Sequence, residues 1–334
     1  MKMTRREIIK LFGVSGLVLA LPKPLSLFAK YNNMDKNEFE VIIIGGSYSG
    51  LSAAMALGRS LRKTLIIDSG KPCNRQTPHS HNFLTQDGST PQEISTIAKQ
   101  QVLSYDTIRF YEGLAVSGKK IAEGYEVTTS NQDVFRARKL VFASGIKDLM
   151  PNIKGFSECW GISVVHCPYC HGYEIRNKKT AIIANGERAF HIASLVNNLT
   201  KDITILTSGK KDFDDNQLLK LKSHNITVIE NEVLEIEHKE GQLETIIFKD
   251  GSKKHFECAY ASIPFEQSSK IPEELGCKLT EHGHIEVDFM HKTTKDGIFA
   301  CGDNSSMMRS VATAVYGGNI TGAVINSELT KESF

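Results

Sequence analysis

The sequence predicts an α/β chain made of two doubly wound units, each a strand, a turn, a helix and a second parallel strand. Two stretches carry that reading: residues 38–68 run through apolar strand, glycine-rich turn, small-residue helix and apolar strand, and residues 179–207 repeat the order. The length agrees, because 334 residues correspond to about two domains at roughly 150 residues each. Hydrophobic residues at 40% and charged residues at 23%, with 26 glycines against 9 prolines, exclude a disordered or collagen-like chain.

The first thirty residues read as an address. Lys2, Arg5, Arg6, Lys10, Lys23 and Lys30 stand against one acid, Glu7, leaving 34 basic and 37 acidic residues in the remainder of a chain whose total is +2. That balance holds no electrostatic footprint for nucleic acid. The apolar run from Leu11 to Leu21 is shorter than the roughly 20 residues of a bilayer crossing. A basic start, a short apolar run and Ala29 near its end describe a secretory signal, and Arg5-Arg6 resembles a twin-arginine export signal. Leu27 is large where a small residue would favour cleavage, so an uncleaved anchor or a plain amphipathic helix stands as the alternative. Residues 1–30 therefore predict export to the periplasm or cell envelope, with or without an N-terminal tether.

The first unit follows. Val41-Ile42-Ile43-Ile44 is a continuous β-branched run suited to a strand buried on both faces. Gly45-Gly46-Ser47-Tyr48-Ser49-Gly50 then leads into Leu51–Leu57, a turn that places free backbone N–H groups and the positive end of a helix dipole where a pyrophosphate can bind. The second glycine of the G-x-G-x-x-G pattern is Ser47, which loosens the approach to the phosphates. Thr64–Ile67 ends at Asp68, 23 residues beyond Gly45, placed to bind ribose hydroxyls. Gly45, Ser47, Gly50 and Asp68 are thus read as dinucleotide-binding. Two further strands end in small, tight turns, Lys139–Gly145 and Gly297–Asp303, and a helix follows over about Ser310–Leu329.

Of seven cysteines, Cys167 and Cys170 stand in His166-Cys167-Pro168-Tyr169-Cys170-His171-Gly172-Tyr173-Glu174, and the other five stand singly at 73, 159, 258, 277 and 301. Two thiols at this spacing can close a disulfide across one helical turn, and local dipoles and cations lower a thiol pKa there. The flanking histidines can move protons near neutral pH. Half a zinc site or a plain structural disulfide are the rival readings, and no second C-x-x-C or H-x-x-x-H pattern supports zinc. No metal is expected.

Together, the glycine turn, the Cys-x-x-Cys and the late Gly302-Asp303 with its terminal helix resemble the low-molecular-weight thioredoxin reductases over nearly the whole chain after residue 37. His171 replaces the Asp that follows the second cysteine in those enzymes, and with Pro72–Arg75 and His79–Leu84 it resembles the FAD-dependent dithiol oxidases that close the disulfides of gliotoxin and holomycin. The resemblance implies two Rossmann-like domains, the second inserted in the first: an FAD domain over 38–150 and 284–334, and a domain carrying the cysteine pair over 151–283. It implies FAD contacts at Asn82, Gly145, Gly302, Asp303 and Val311 besides the glycine turn. It makes Cys170 the thiol facing the flavin, Cys167 the thiol exchanging with substrate and His171 the acid/base, with His166 and His81 as helpers, and it implies a homodimer.

The second unit departs from its pattern. After Lys179–Ile183, the turn Ala184-Asn185-Gly186-Glu187-Arg188 lacks the first glycine and brings an acid where a phosphate would sit. After Ile203–Thr207, the basic pair that grips a 2′-phosphate in NADPH-dependent relatives is absent, and only Lys210-Lys211 stands nearby. These residues argue against specific NAD(P)H binding, and an exported enzyme would meet little of it. The sequence therefore predicts a dithiol oxidase that takes electrons from a small-molecule or protein dithiol through Cys167–Cys170 and FAD to molecular oxygen or another acceptor. An NAD(P)H-dependent thioredoxin-reductase-like enzyme and a non-catalytic redox-sensing flavoprotein are the alternatives.

Overall fold

Hydrophobic strand runs flanked by glycine turns fold into two main sheets, one mixed and one parallel, each with helices packed on one face. The computed structural model describes residues 37–334; the export signal read over residues 1–30 lies outside them. The first part of the chain contains β1 (Glu38–Ile44), α1 (Tyr48–Arg59), β2 (Thr64–Asp68), α2 (Pro91–Val102), β3 (Ile108–Glu112), β4 (Ala115–Ile121), β5 (Gly124–Thr129) and β6 (Val134–Phe142). A short β7 (Ile146–Asp148) leads out of it. Next come α3 (Phe156–Cys159), β8 (Val164–Val165), α4 (Pro168–His171), β9 (Thr180–Ile183), α5 (Gly186–Val196), β10 (Ile203–Leu206), α6 (Asp215–Ser223) and β11 (Thr227–Ile229). Then β12 (Val233–Lys239), β13 (Gln242–Phe248), β14 (Lys253–His255) and β15 (Cys258–Ala261) follow, and β16 (Phe265–Gln267), α7 (Ile271–Glu274), β17 (Ile298–Ala300) and α8 (Val311–Ser333) complete the fold.

The first sheet has the order β3-β2-β1-β6-β5-β4, with β17 also paired to β6. β1, β2 and β3 are parallel, β17 runs parallel to the second half of β6, and β4 and β5 continue as an antiparallel meander. In β1, Val41 and Ile43 join Leu51, Leu57, Ile325 and Leu329 on the helical face. Ile42 and Ile44 point the other way, into a core shared with Val127 and Phe142. This two-sided burial is why the run is uninterrupted rather than alternating. α1 and α8 pack closely because α8 presents glycines: a Cβ on Gly318 would lie 2.1 Å from the Ser49 carbonyl oxygen, and one on Gly322 2.6 Å from that of Ala53.

The second sheet, β11-β10-β9-β15-β8, is parallel throughout. α5 and α6 cover one face through Ala189, Ala193, Val196 and Leu221, and the β12-β13-β14 layer covers the other through Ile236, Leu243, Ile246 and Phe248. The antiparallel pair β7–β16 marks where the chain leaves the first sheet after β6 and comes back after β15. The second unit is thus inserted in the first. Ile271 and Cys277 pack with Ile42 and Phe142, and Gly118 in β4 leaves room for the Ile271 side chain. Among the described residues no helix is long and apolar enough to cross a membrane.

Candidate active site

The first turn is open for a ligand. Gly45 has φ +110° and its Cβ would lie 2.2 Å from the Ala143 carbonyl oxygen, so only glycine fits between β1 and β6. A Cβ on Gly50 would lie 1.9 Å from the Gly45 carbonyl oxygen, which fixes α1 hard against the turn. Ser47 is the N-cap of α1, and its side chain makes no capping hydrogen bond, nor does the first turn hold an acid. The N–H groups at that helix end therefore face the turn without a side-chain acceptor. Asp68 reaches back to the same place, accepting from the Gly46 N–H at 2.9 Å and the Gly70 N–H at 3.1 Å. Beside it, the Ser144 hydroxyl is sealed from solvent with no partner, and the Cβ direction of Gly145, at φ +66°, opens onto empty space. Gly302 packs on Ser49, and Asp303 follows it. Burial pushes the Asp303 carboxyl up, against the opposing pull of Arg309.

Two expected contacts need qualification. Val311 opens α8, but Ser310 caps that end by accepting from the Thr313 N–H at 3.1 Å, so this donor is already used. Asn82 sits exposed on a left-handed loop position at φ +59°, where its N–H donates to Asp87 at 2.7 Å. The loop carries His81 toward the cysteine helix, with its Nδ1 3.6 Å from an Asp87 carboxylate oxygen and 3.7 Å from one of Glu174.

The cysteines share one helical turn. Cys167 is the N-cap of α4, its sulfur accepting from the Cys170 N–H at 3.2 Å, and the two sulfurs lie 2.6 Å apart. The Cys170 thiol and the backbone N–H groups at this helix end favour a thiolate on Cys167 and lower its pKa, while the same shared proton and burial push Cys170 up. Cys170 also lies 4.0 Å from the Arg309 carbonyl oxygen, just before α8. The two sulfurs thus sit between the insertion and the helix that ends the first unit. His171 occupies the last position of α4, half-buried. Burial and the neighbouring His81 lower its pKa, while Glu174 opposes them, so it is a neutral proton acceptor at neutral pH. His166 differs: its Nε2 is sealed without a partner, and burial and the Arg309 charge hold it down at about 3. It stays neutral and packs 6.0 Å from the Trp160 ring.

Sequence reasoning missed a charged knot beside the pair. Arg309 forms a two-point ion pair with Asp148, and Asp148 also accepts from the Trp160 indole at 3.1 Å. Cys73, one of the single cysteines, lies 3.8 Å from Asp303; burial and that carboxylate raise its thiol to about 11 and leave it unreactive. Neither Arg309 nor Asp148 belongs to a motif, and they are 161 positions apart. Among the described residues no group of three His, Cys, Asp or Glu side chains could hold a metal.

The second turn carries a side-chain cap and acids that the first lacks. α5 begins at Gly186, so Glu187 and Arg188 stand in its first turn rather than in the loop. The Asn185 side chain caps that end, accepting from the Gly186 and Asp212 N–H groups at 2.8 and 2.9 Å and donating to the Lys210 carbonyl. A Cβ on Gly186 would lie 3.4 Å from an Asp212 carboxylate oxygen, and Glu187 accepts from Gln217. Lys211 is committed to Glu230 at 2.7 Å. A cavity of about 380 Å³ remains beside it, lined by Asn185, Arg188, Ser262, Phe265, Glu281 and His282 among others.

The sequence pattern of the pyridine nucleotide-disulphide oxidoreductases matches residues 39–318. Thioredoxin reductase tcpT of Claviceps purpurea is 30% identical over 306 residues, 88% of this chain and 95% of that protein. Among solved structures, an oxidoreductase from Agrobacterium tumefaciens superposes with a TM-score of 0.82 at 35% identity, covering 88% of this chain and 99% of the other. A thioredoxin reductase TrxB from Bacillus anthracis, described as putative, superposes with a TM-score of 0.84 at 28% identity, covering 89% and 100%.

Proposed function

The chain belongs to the pyridine nucleotide-disulphide oxidoreductase family, and from that premise we propose that it is an FAD-dependent dithiol oxidase. It is an oxidoreductase of the thiol–disulfide type, and FAD is its cofactor. The residues present fit that group. The uncapped end of α1 and the Gly45 turn suit the pyrophosphate, Asp68 the adenosine ribose, and the orphaned Ser144 hydroxyl, the open side of Gly145 and Asp303 the rest of the chain. When bound, FAD supplies a two-electron acceptor for the reduced cysteine pair and a route from there to oxygen.

The chain's own residues divide the remaining work. A substrate thiolate attacks the Cys167 sulfur of the Cys167–Cys170 disulfide, and Cys170 leaves as a thiolate. The second substrate thiol gives its proton to His171 and attacks the mixed disulfide. Substrate leaves as a disulfide, and Cys167 becomes the second free thiolate. His81 and Glu174 sit where that proton can pass on to solvent. Per turnover one dithiol loses two electrons and two protons, and one O₂ becomes one H₂O₂.

The observation that supports the direction of flow is the second turn: Asn185 takes the first N–H of α5, and Glu187 and Asp212 put negative charge at that helix end, which disfavours a phosphate there. The experiment is aerobic turnover of the holoenzyme with dithiothreitol in the absence of any nicotinamide. One peroxide per disulfide formed is expected, and no oxygen uptake would overturn the reading. The same reading includes export directed by Arg5 and Arg6, tested by fractionation of an Arg5→Lys/Arg6→Lys variant, which would stay in the cytosol. It also includes a homodimer, for which the exposed Phe289 and Tyr316 offer an apolar surface.

A further inference from the structure

Two strands, β7 and β16, carry the chain from the first unit into the insertion and back, pairing Ile146–Asp148 with Phe265–Gln267. A two-strand ladder is marginal by itself. The cysteine helix beyond it nevertheless keeps one place against the first unit, with the Cys170 sulfur 4.0 Å from the Arg309 carbonyl oxygen. The last residue of β7 supplies what the strands lack. Asp148 accepts from Arg309 Nη1 at 2.9 Å and Nη2 at 3.1 Å, and from the Trp160 indole N–H at 3.1 Å. Arg309 immediately precedes the Ser310 cap of α8, which belongs to the first unit. Trp160 closes α3 in the insertion, where it packs in the core and stacks 5.7 Å from Phe156. One carboxylate thus ties a side chain from each unit, at the point where the chain passes between them. The Asp148 and Arg309 side chains are 7% and 16% exposed, so water competes little for the pair, and the two-point fork of a guanidinium fixes direction as well as distance.

We propose that Asp148 is a positioning residue for the dithiol chemistry, holding the cysteine helix against the residues that open α8 by gripping Arg309 on one side and Trp160 on the other. This rests on the reading of Cys167–Cys170 as the redox pair. The path from Asp148 to the sulfurs is short in both directions. On the first-unit side, Asp148 holds the Arg309 side chain, and the Arg309 main chain is what Cys170 touches. On the insertion side, Trp160 bridges to Val164 in β8, and its ring lies 6.0 Å from that of His166, the residue before Cys167. Asp148 neutralises the Arg309 guanidinium, so the effect is one of placement and not of charge. Placement alters how fast the reduced pair gives up its two electrons and two protons to FAD and closes its S–S bond, and leaves the balance of that exchange unchanged.

Trp160 is the single tryptophan of the chain, so its fluorescence reports on this junction directly. The Asp148→Asn/Arg309→Gln pair is neutral, of nearly unchanged shape, and strands no buried charge. In the holoprotein it is expected to make Trp160 more readily quenched by acrylamide, and to slow anaerobic bleaching of the flavin at saturating dithiothreitol at least about tenfold. FAD content and alkylation of Cys167 by iodoacetamide in the reduced protein should stay at the parent level. Arg309→Lys keeps the charge and loses the fork, so it too should bleach slowly, which separates placement from charge. Trp160→Phe keeps the stacked ring and removes only the indole N–H, and should slow bleaching by a smaller factor. A parent rate of bleaching in the double variant, whether or not its melting temperature falls, would overturn the inference, as would unchanged quenching of Trp160. Bleaching by a dithiol needs only exchange between the cysteine pair and the flavin. Slow bleaching in the variants of an enzyme that makes no peroxide in air would therefore leave the role of Asp148 standing and place the failure in the oxidase reading.

Discussion

The two helix-opening turns, Gly45–Gly50 and Ala184–Arg188, follow parallel strands of the same kind, yet the first helix end has no side-chain cap and the second is capped by Asn185 with acids beside it. At the first, Ser47 caps nothing and the nearby acid, Asp68, is turned onto the Gly46 and Gly70 N–H groups. At the second, Asn185 accepts from the Gly186 and Asp212 N–H groups, and Glu187 stands in the first turn of the helix, held by Gln217. That difference supports the proposal that the first turn holds the FAD pyrophosphate while the second unit serves chiefly as the platform for the cysteine pair.

The largest effect should come from the chemistry placed on the second unit. Cys167→Ser is expected to lower dithiol oxidation by at least about a thousandfold while the yellow FAD content stays at the parent level. A colourless variant would mean that the cysteine helix supports FAD binding and that the two units are not separable. Next, the turns themselves can be set against each other. Gly50→Ala forces a Cβ to 1.9 Å from backbone and should cost about 3 kcal/mol or more together with FAD loss. Gly186→Ala, at φ +58° with its nearest neighbour at 3.1 Å, should cost only about 1 kcal/mol and leave FAD in place. Equal losses in thermal melts would erase the contrast.

Acid sensitivity should come from the insertion. His166 is held at about 3 against an unfolded value near 6.5, so between those values the unfolded chain binds the extra proton. Stability is full above about pH 6.5 and falls as pH drops, by at most about 1.4 kcal/mol per unit. His166→Phe should flatten that acid limb in urea titrations at pH 4 to 6, and an unchanged slope would contradict the burial argument. The smallest effect comes at the second turn. Glu187→Gln with Asp212→Asn removes two exposed charges and should improve NADPH-driven flavin reduction by no more than about tenfold, because Asn185 still takes the first N–H of that helix.

Much of this was legible because it is local. Val41–Ile44 with Gly45 and Gly50 is a strand, a turn and a helix within one stretch, and Cys167 and Cys170 meet across a single helical turn. The loss of the first glycine at Ala184 was equally plain. What surrounds the cap of that turn was not, since the Asp212 N–H reaches Asn185 from 27 positions away. The insertion was readable only through resemblance, because β17 and β6 pair across a gap that no periodicity records. The Asp148–Arg309 clamp was invisible for the same reason: an acid at a strand end and an arginine before a helix are ordinary surface residues until the fold brings them together in a poorly solvated place.

The contrast between the turns predicts which reductant the flavin accepts. The most direct measurement is anaerobic mixing of the purified holoprotein with NADPH, NADH or dithiothreitol, followed at the flavin absorbance. Bleaching by the dithiol, with no comparable bleaching by either nicotinamide, is the predicted result. Rapid bleaching by NADPH would contradict it and return the second turn to the role that its strand and helix were built for.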